Sequence, residues 1–432
     1  MLLFNRSAEK FTAWARENAV PLDPSEDVQL SMKKLSCLDR LLRGKRVVYL
    51  GEEDHWVHEK YEYRCLLLRY LFSRGWQYVG EELGWSDGTR IDRYLLSGDR
   101  SHLDRIATYG YRGDARPDRD DTATGILRAA SKNYPLQAFS EEQIRFAEFL
   151  RGFNETPCPE SNRIRFFGLD VNAAAGGGYR DAEDLLGPFF HSPGFAQIRQ
   201  LLALVPGETI EQEIQRLDRV LHALEFQKAA LKEQLSEARY DLLRQGIQTT
   251  RDSFAYYRLA NPAADYKALN YAMAAREELM CRHADFILSQ MGPDDKLVLM
   301  GHNRHLSKDI GSIQKLGGSP PGGGLAPSLG TYLNRRLPGG VFSIWMLHES
   351  GYSAQPFSSL ASGYTVKKGS LNAVLSSVGE RFLLSTEAKV QEANLLHKKR
   401  NIVGLYNVPF RTAIVRQADA VFFVREVSPI GP

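Results

Sequence analysis

Four of the ten histidines of this chain follow directly on short apolar runs, where their side chains could do acid–base chemistry. His55 and His58 come after one such run, and His302 and His305 come after another. A neutral imidazole can take a proton from water near neutral pH because its ordinary pKa is about 6.5. A carboxylate bonded to the other ring nitrogen would fix the tautomer and stabilise the imidazolium that forms.

Carboxylates stand at the ends of two of these runs. Glu52 precedes His55 by three residues, and Glu81 and Glu82 end the next apolar run of the chain. Any of the three acids could be the partner of the imidazole. In an open parallel sheet, ligands bind outside the carboxyl ends of the strands. The sequence therefore predicts an active site at strand ends.

The elements that must position these groups alternate along the chain. Apolar runs rich in β-branched and aromatic residues predict strands over 46–50, 77–81, 164–169, 296–300, 341–346 and 420–424. Between the first two, a helical pattern over 59–74 places Tyr63, Leu67, Tyr70 and Leu71 on one face. Strand, helix, strand is a βαβ unit. We predict an α/β fold with a mainly parallel central sheet flanked by helices.

The stretch 209–290 differs from the rest, because it is long, charged and helically periodic. We predict that it forms a helical insert that roofs the cleft, inside a single domain over 1–432. A glycine-rich loop over 317–324 is either a lid or a surface connection.

Composition excludes several classes of protein. A net charge of +3 without a polybasic tract argues against nucleic acid as a partner. No apolar run approaches the roughly 20 residues that a membrane helix needs. The four cysteines lie far apart, without the spacing of a metal site, as in reduced thiols. We expect a cytoplasmic protein that binds a small-molecule substrate, and the sequence leaves its oligomeric state open.

Two other kinds of site deserve comparison. If a helix began at His302, then His302 and His305 would share one face and could bind a metal, although Arg304 between them and the lack of further ligands weaken that interpretation. Ser86 lies in a G-x-S-x-G motif, and Asp170 and His302 follow in the order of a hydrolase triad. Against it, residues 82–83 separate Ser86 from the predicted strand end. The other histidines are interpreted as surface or packing residues: His58, His102, His191, His222, His283, His348 and His397.

Several further segments, in order along the chain, complete the pattern. They are LGE at 50–52 with His55, Glu59 and Arg64, VGEELGW at 79–85, FGLDV at 167–171, Arg276-Glu277 with Met280, GHNRH at 301–305, LGTYL at 329–333, and 419–429. Together they resemble the erythromycin esterase-like family, of the EreA/ChaN-like superfamily.

The resemblance implies an esterase that opens a macrolide lactone with an activated water, and that uses no metal and no cofactor. It implies that His55 is the general base and that Glu52 is its partner. The implied catalytic residues are His55, Glu52, Glu82, His302 and His305, and the implied substrate-binding residues are Arg64, Trp56, Trp85, Asp170 and Arg276.

The chain departs from the family pattern beside the base. Trp56 replaces the usual glycine after the first histidine, which reshapes the pocket and leaves the substrate open. The first hypothesis is a hydrolase of an ester or lactone. The second is a biosynthetic enzyme that uses the same base for cyclisation or acyl transfer, favoured if Trp56 and Trp85 line a closed apolar cleft. A third is a haem- or metal-binding protein with His302 and His305 as ligands.

Overall fold

A computed structural model of the chain describes residues 2–103, 106, 141–155, 162–172, 177–203, 205, 208–259, 266–315, 327–354, 362–403 and 409–430. By their contacts the residues divide into two compact units. The first unit contains Met1–Gly80, Ser140–Arg165 and Ala284–Pro432, and the second contains Glu81–Phe139 and Phe166–His283. The single domain with an insert over 209–290 stays a prediction. The glycine-rich loop 317–324 lies outside the described residues.

A nine-stranded sheet runs through the first unit. The strands of the structure are β1 (Val20–Pro21), β2 (Val47–Glu52), β3 (Tyr78–Gly84), β4 (Arg165–Asp170), β5 (Leu297–His302), β6 (Gln314–Lys315), β7 (Val341–Ser353), β8 (Ser362–Thr365), β9 (Arg381–Ser385), β10 (Arg400–Val403), β11 (Pro409–Thr412) and β12 (Ala420–Val427). The order in the large sheet is β1-β9-β12-β7-β2-β5-β3-β4, with β8 beside β7. Strands β3 and β4 begin in the first unit and end in the second.

The pairing in the centre of this sheet is parallel. Strand β2 lies parallel to both β5 and β7, and β7 lies parallel to β12. Strands β1, β8 and β9 add antiparallel pairs, and β10, β11 and β6 form a separate antiparallel sheet. The predicted α/β fold with a mainly parallel sheet flanked by helices is therefore confirmed.

Helices connect and cover these strands. They are α1 (Leu2–Asn18), α2 (Val28–Leu35), α3 (Leu38–Leu41), α4 (Glu59–Phe72), α5 (Trp85–Ser97), α6 (Glu141–Glu155), α7 (Gly177–Leu186), α8 (Ala196–Leu202), α9 (Ile210–Phe226), α10 (Lys228–Leu235), α11 (Glu237–Leu259), α12 (Tyr266–Gln290), α13 (Leu329–Arg336), α14 (Leu371–Leu375) and α15 (Asn394–His397). Within the described ranges, no helix is long and apolar enough to span a membrane.

Helices α9 to α12 occupy the stretch predicted to be helical. Thr209 begins α9 with a capping box, in which its hydroxyl accepts the N–H of Gln212 and the Gln212 side chain accepts the N–H of Thr209. Apolar side chains of α9 and α11, such as Leu217, Leu224 and Tyr240, pack in one buried cluster of the second unit. The helical character is confirmed, while the predicted roof over the cleft stays a prediction.

The first βαβ element explains how polar groups reach the edge of the sheet. All six residues of β2 are buried, as expected for a central parallel strand. A Cβ on Gly51 would lie 2.2 Å from the side-chain oxygen of Asn303, so a larger residue there would force the Asn303 side chain to move. The predicted apolar face of α4 is buried.

Two predicted boundaries were wrong. Strand β5 extends to His302, which pairs in register with Glu52, and His305 lies in the turn that follows rather than at a helix start. Strand β3 includes Glu82, a buried acid that forms an ion pair within the second unit. The helix predicted over 59–74 is present as α4, which begins at Glu59, and His55 lies in a turn before it.

Candidate active site

The structure places the predicted site residues in two groups, one in each unit. The first unit contains Glu52, His55, Trp56, Arg64, His302 and His305, and the second contains Glu82, Trp85, Asp170 and Arg276. Each group is described by itself.

The ends of β2 and β5 bring the first group together. Glu52 and His302 are the last residues of the two strands and are aligned with each other. The backbone N–H of Asn303 donates to the carbonyl oxygen of Glu52 at 2.7 Å, which fixes the two strand ends relative to each other. The strands that precede His55 and His302 thus end side by side at one edge of the sheet.

His55 and Glu52 form the central contact of this group. His55 Nδ1 lies 2.6 Å from Glu52 Oε1. The Glu52 side chain is fully buried, and the His55 side chain is 12% exposed. Because an ionised carboxylate can only accept, Nδ1 carries the hydrogen, and in the neutral ring Nε2 carries the lone pair that can take a proton. This is the tautomer that a general base needs.

Two cations hold the far oxygen of the same carboxylate. Arg64 Nη2 lies 2.9 Å from Glu52 Oε2, and Lys60 Nζ lies 3.6 Å from it. Burial alone would raise the pKa of Glu52, but the charges of Arg64 and Lys60 and the bond from His55 outweigh it and hold the pKa well below its usual range. Glu52 is therefore ionised in the folded chain.

The next two residues are acids in a different environment. The Glu53 side chain accepts the N–H of His348 at 3.0 Å and a bond from Asn372, and burial raises the pKa of Glu53 well above its usual value. Asp54 accepts the N–H of Trp56 and the hydroxyl of Tyr364, yet burial raises its pKa also. His55 also lowers the pKa of Asp54, but burial is the larger effect for both acids and favours their protonated forms.

His302 and His305 lie beside the base. The ring of His302 meets the ring of His55 edge to face at 5.5 Å, and that of His305 lies 6.3 Å farther on. His302 Nε2 lies 3.0 Å from the carbonyl oxygen of Glu53, and the N–H of Arg304 donates to His302 Nδ1 at 3.2 Å. Both ring nitrogens of His302 thus bind backbone groups, which is the arrangement of a positioning residue.

Trp56, the departure from the family pattern, is buried next to the base. Its ring stands edge-on to the His55 ring at 6.4 Å. Its carbonyl oxygen accepts the N–H groups of Ala354 and Ile430, both at 3.0 Å. The backbone that carries His55 is therefore anchored to two distant segments of the first unit.

In the second unit, Arg276 joins two acids. Its Nε lies 2.7 Å from Asp170 Oδ1, and its Nη2 bonds both Asp170 Oδ2 and, at 2.8 Å, Glu82 Oε1. Burial would lower the pKa of Arg276, but Asp170 and Glu82 outweigh it and raise the pKa well above its ordinary value. The sequence did not predict that these three residues bind one another, and their role toward a substrate stays a prediction.

Trp85 lies in a buried polar network that the sequence did not predict. Its ring packs at 4.7 Å on that of His283. His283 Nδ1 lies 2.8 Å from the carbonyl oxygen of Leu169, and its Nε2 lies 2.8 Å from the hydroxyl of Thr249. Burial lowers the pKa of His283 to about 4, so the ring is neutral. The interpretation of His283 as a packing residue agrees with these contacts.

The proposed serine triad finds no support in the contacts of its members. Ser86 is the second residue of α5, directly after β3, so its position is closer to a strand end than the sequence suggested. Its hydroxyl is buried and has no hydrogen-bond partner among the described residues. Asp170 is bound by Arg276, and both nitrogens of His302 are bound by backbone groups.

A metal site was the other alternative. Across the described ranges, no group of three or more His, Cys, Asp or Glu side chains is arranged to hold a metal ion. The helix on which the pairing of His302 and His305 depended is also absent, since His302 ends a strand.

Comparison with known proteins places this geometry in a family. Residues 73–427 match the family described as erythromycin esterase. The chain belongs to the erythromycin esterase family. The match begins after α4, so Glu52, His55 and Arg64 precede it.

One relative and three solved structures extend this result. YbfO of Bacillus subtilis (strain 168), which carries a provisional hydrolase name, is 22% identical over 372 residues that cover 80% of this chain and 74% of that protein. The crystal structure of a succinoglycan biosynthesis protein has a TM-score of 0.70 at 18% identity, covering 98% of this chain and 97% of that one. A Bacillus cereus protein has a TM-score of 0.70 at 16% identity, covering 98% of each chain.

The third structure is a mutant of the erythromycin esterase EreC in an open conformation. It has a TM-score of 0.62 at 19% identity and covers 96% of this chain and 98% of that one. At these identities the structures show a shared fold. The family and the relative support an esterase-like hydrolase of the erythromycin esterase family.

Proposed function

We propose that this chain hydrolyses an ester or lactone of a small or medium natural product, with His55 as the general base and with neither a metal nor a cofactor. The observation that carries the proposal is the 2.6 Å contact between His55 Nδ1 and an ionised, buried Glu52. The family supports the hydrolase class.

The first step forms a bond from water to the carbonyl carbon. The lone pair on His55 Nε2 takes one proton of the water while the water oxygen attacks, and the carbonyl oxygen becomes an oxyanion. Glu52 stabilises the imidazolium through the Nδ1–H bond, because the negative charge already stands beside the ring. Arg64 forms an ion pair with Glu52 and acts here as a positioning residue.

The second step breaks the ester. The oxyanion collapses, the bond from the carbonyl carbon to the alkoxy oxygen breaks, and the imidazolium returns its proton to the departing oxygen. The products are a carboxylic acid and an alcohol, and for a lactone both remain in one opened molecule. His55 ends the cycle neutral, as it began.

A second candidate uses the same base without water. The His55 side chain is only 12% exposed, and Trp56 beside it is buried. A base shielded from solvent suits a reaction in which hydrolysis is suppressed, such as a cyclisation or an acyl transfer.

One experiment separates the two candidates. A panel of macrolides and simple esters is incubated with the full chain in ¹⁸O-labelled water, with His55→Asn as the control variant, and the products are analysed by mass spectrometry. The hydrolase predicts the gain of one labelled water that depends on His55. A product of unchanged or reduced mass, formed only with His55 present, would support the second candidate instead. No conversion of any ester by a folded wild-type chain would count against the hydrolase.

A further inference from the structure

Lys60 is a buried lysine to which the mechanism above gives no role. It lies in the first turn of α4 with its side chain fully buried. Its ammonium is 3.6 Å from Glu52 Oε2, the same oxygen that Arg64 binds. The ammonium also lies 4.9 Å from the centre of the Tyr61 ring. Burying a lysine costs free energy unless an opposite charge compensates it, so this placement requires Glu52.

We propose that Lys60 is a positioning residue of the general base, which with Arg64 keeps Glu52 ionised and limits how strongly Glu52 holds a proton on His55. The inference rests on the proposed hydrolase function and deepens it. Lys60 and Arg64 are four residues apart on one helix, so both project from the same face toward Glu52.

The balance of charges around Glu52 decides how strongly it attracts a proton on His55. A lone buried carboxylate beside an imidazole favours the imidazolium, and a histidine that is already protonated cannot act as a base. Here Glu52 contributes one negative charge, while Lys60 and Arg64 contribute two positive charges. The second cation offsets the attraction between Glu52 and a proton on His55.

Two titratable neighbours of this pair, Asp54 and Tyr63, are favoured in their neutral forms. Asp54 interacts with His55, but burial raises the pKa of Asp54 and favours its neutral form. Tyr63 of α4 interacts with Glu52 and Arg64, and its pKa is raised well above the ordinary value, so it is neutral. The His302 ring beside His55 has both nitrogens bound by backbone groups. Lys60 and Arg64 are therefore the cations that interact with Glu52.

The test is a pH titration of the His55 ring by NMR on the full chain with ¹⁵N-labelled histidine. The His55 signal is assigned by its loss in His55→Asn. Lys60→Met should move the titration midpoint of His55 upward by about 0.5 to 1 pH unit, because it removes one nearby positive charge. Lys34→Met is the matched control, because Lys34 also pairs with a glutamate, Glu26, but that pair is partly exposed and does not include Glu52. That variant should titrate as the wild type does.

A folded Lys60→Met chain with an unchanged or lower midpoint would overturn the proposal. The titration needs no substrate, so it decides the role of Lys60 separately from the ester panel. Failure of the panel would refute the hydrolase and would leave this measurement interpretable.

A second pair of variants covers the case in which Lys60→Met does not fold. Glu52→Gln leaves two buried cations without their anion, and Lys60→Met in that background removes one of them. Thermal unfolding should show that Glu52→Gln/Lys60→Met is more stable than Glu52→Gln alone. A double variant that folds no better than Glu52→Gln would contradict an electrostatic partnership between Lys60 and Glu52.

Discussion

Three consecutive acids at the end of β2 lie in two regions that shift the pKa of a carboxyl group in opposite directions. Glu52 faces Arg64, Lys60 and His55, and its pKa is held well below the usual range. Glu53 and Asp54 face His348, Asn372 and Tyr364, and burial raises both of their pKa values. All three are buried, so depth alone does not decide the charge state. The charges of Arg64 and Lys60 beside Glu52 do, and this difference makes Glu52 the acid that can support a base.

The region around Glu53 and Asp54 holds the backbone next to Glu52 and His55 in place. The side chain of Glu53 is bonded to the backbone N–H of His348, while the backbone carbonyl oxygen of Glu53 lies 3.0 Å from His302 Nε2. His348 is itself fully buried, and burial lowers its pKa to about 3. The contacts of Glu53 with His348 and His302 thus fix the backbone beside the Glu52–Arg64 ion pair.

The largest expected effect is on the base itself. His55→Asn should lower turnover of any ester substrate by about 10²-fold or more, the usual scale for removing a positioned acid–base group. Steady-state kinetics measure the loss, and circular dichroism confirms that the variant is folded. Turnover close to that of the wild type in a folded variant would remove His55 from the mechanism.

The next prediction compares the two regions directly through Glu52→Gln and Glu53→Gln. Glu52→Gln should lower the free energy of unfolding by about 3 to 5 kcal/mol, because it leaves buried cations unpaired. Glu53→Gln replaces a carboxyl that is favoured in its neutral form, and should cost about 1 kcal/mol or less. Denaturant unfolding at neutral pH measures both. Equal losses would mean that the two regions do not differ in charge state.

The same variants should also differ, by a smaller amount, in how their free energy of unfolding depends on pH. Because the pKa of Glu53 is raised in the folded chain, the stability that this group contributes is complete below the unfolded value of about 4.3 and is lost as the pH rises through the folded value. Glu53→Gln should therefore gain stability relative to the wild type as the pH rises from about 4.

The stability that Glu52 contributes depends on pH in the opposite direction. Its pKa is lowered on folding, so its contribution is present above about 4.3 and is lost as the pH falls through the folded value. The advantage of the wild type over Glu52→Gln should shrink as the pH falls below about 4. Glu387→Gln, at an exposed position, serves as the control for both titrations. If the free energies of unfolding of Glu52→Gln and Glu53→Gln changed with pH in the same way, the proposed difference between the two acids would be wrong.

The smallest effect is expected at Ser86. Ser86→Ala should leave turnover close to the wild-type value, since the hydroxyl is buried without a described partner. Its removal should also leave the stability unchanged or slightly higher, because an unsatisfied buried hydroxyl is costly. An inactive Ser86→Ala chain, with an acyl-enzyme trapped in the wild type, would instead establish a serine nucleophile.

Sequence patterns predicted the central strands well, because a buried parallel strand has a clear composition. The residues alone left Glu52, Glu81 and Glu82 open as partners of His55, and the structure shows the contact with Glu52 at 2.6 Å. The limits of β3 and β5 could not be predicted, since polar residues at their ends suggested loops. Glu82 and His302 remain in strands because an ion pair and backbone pairing compensate for their burial.

The charge states could not be read from the sequence, because three successive acids look alike there. Lys60 was missed for a related reason, although one signal existed. It falls on the same helical face as Tyr63, Arg64 and Leu67, so a charged residue occupies a position where the pattern is otherwise buried. A lysine on such a face indicates a buried partner, but only the structure identifies it as Glu52.

The charge state of these acids is the basis of the account, because His55 can act as the proposed base only beside an ionised Glu52. Carbon-13 NMR of the side-chain carboxyl groups, in the full chain labelled at glutamate, reports that state directly. The Glu52 and Glu53 signals are assigned through Glu52→Gln and Glu53→Gln. We predict that, as the pH rises, Glu52 ionises before the exposed glutamates and Glu53 ionises after them. A Glu53 that ionises together with Glu52, or a Glu52 that is still protonated when the exposed glutamates have ionised, would contradict the account.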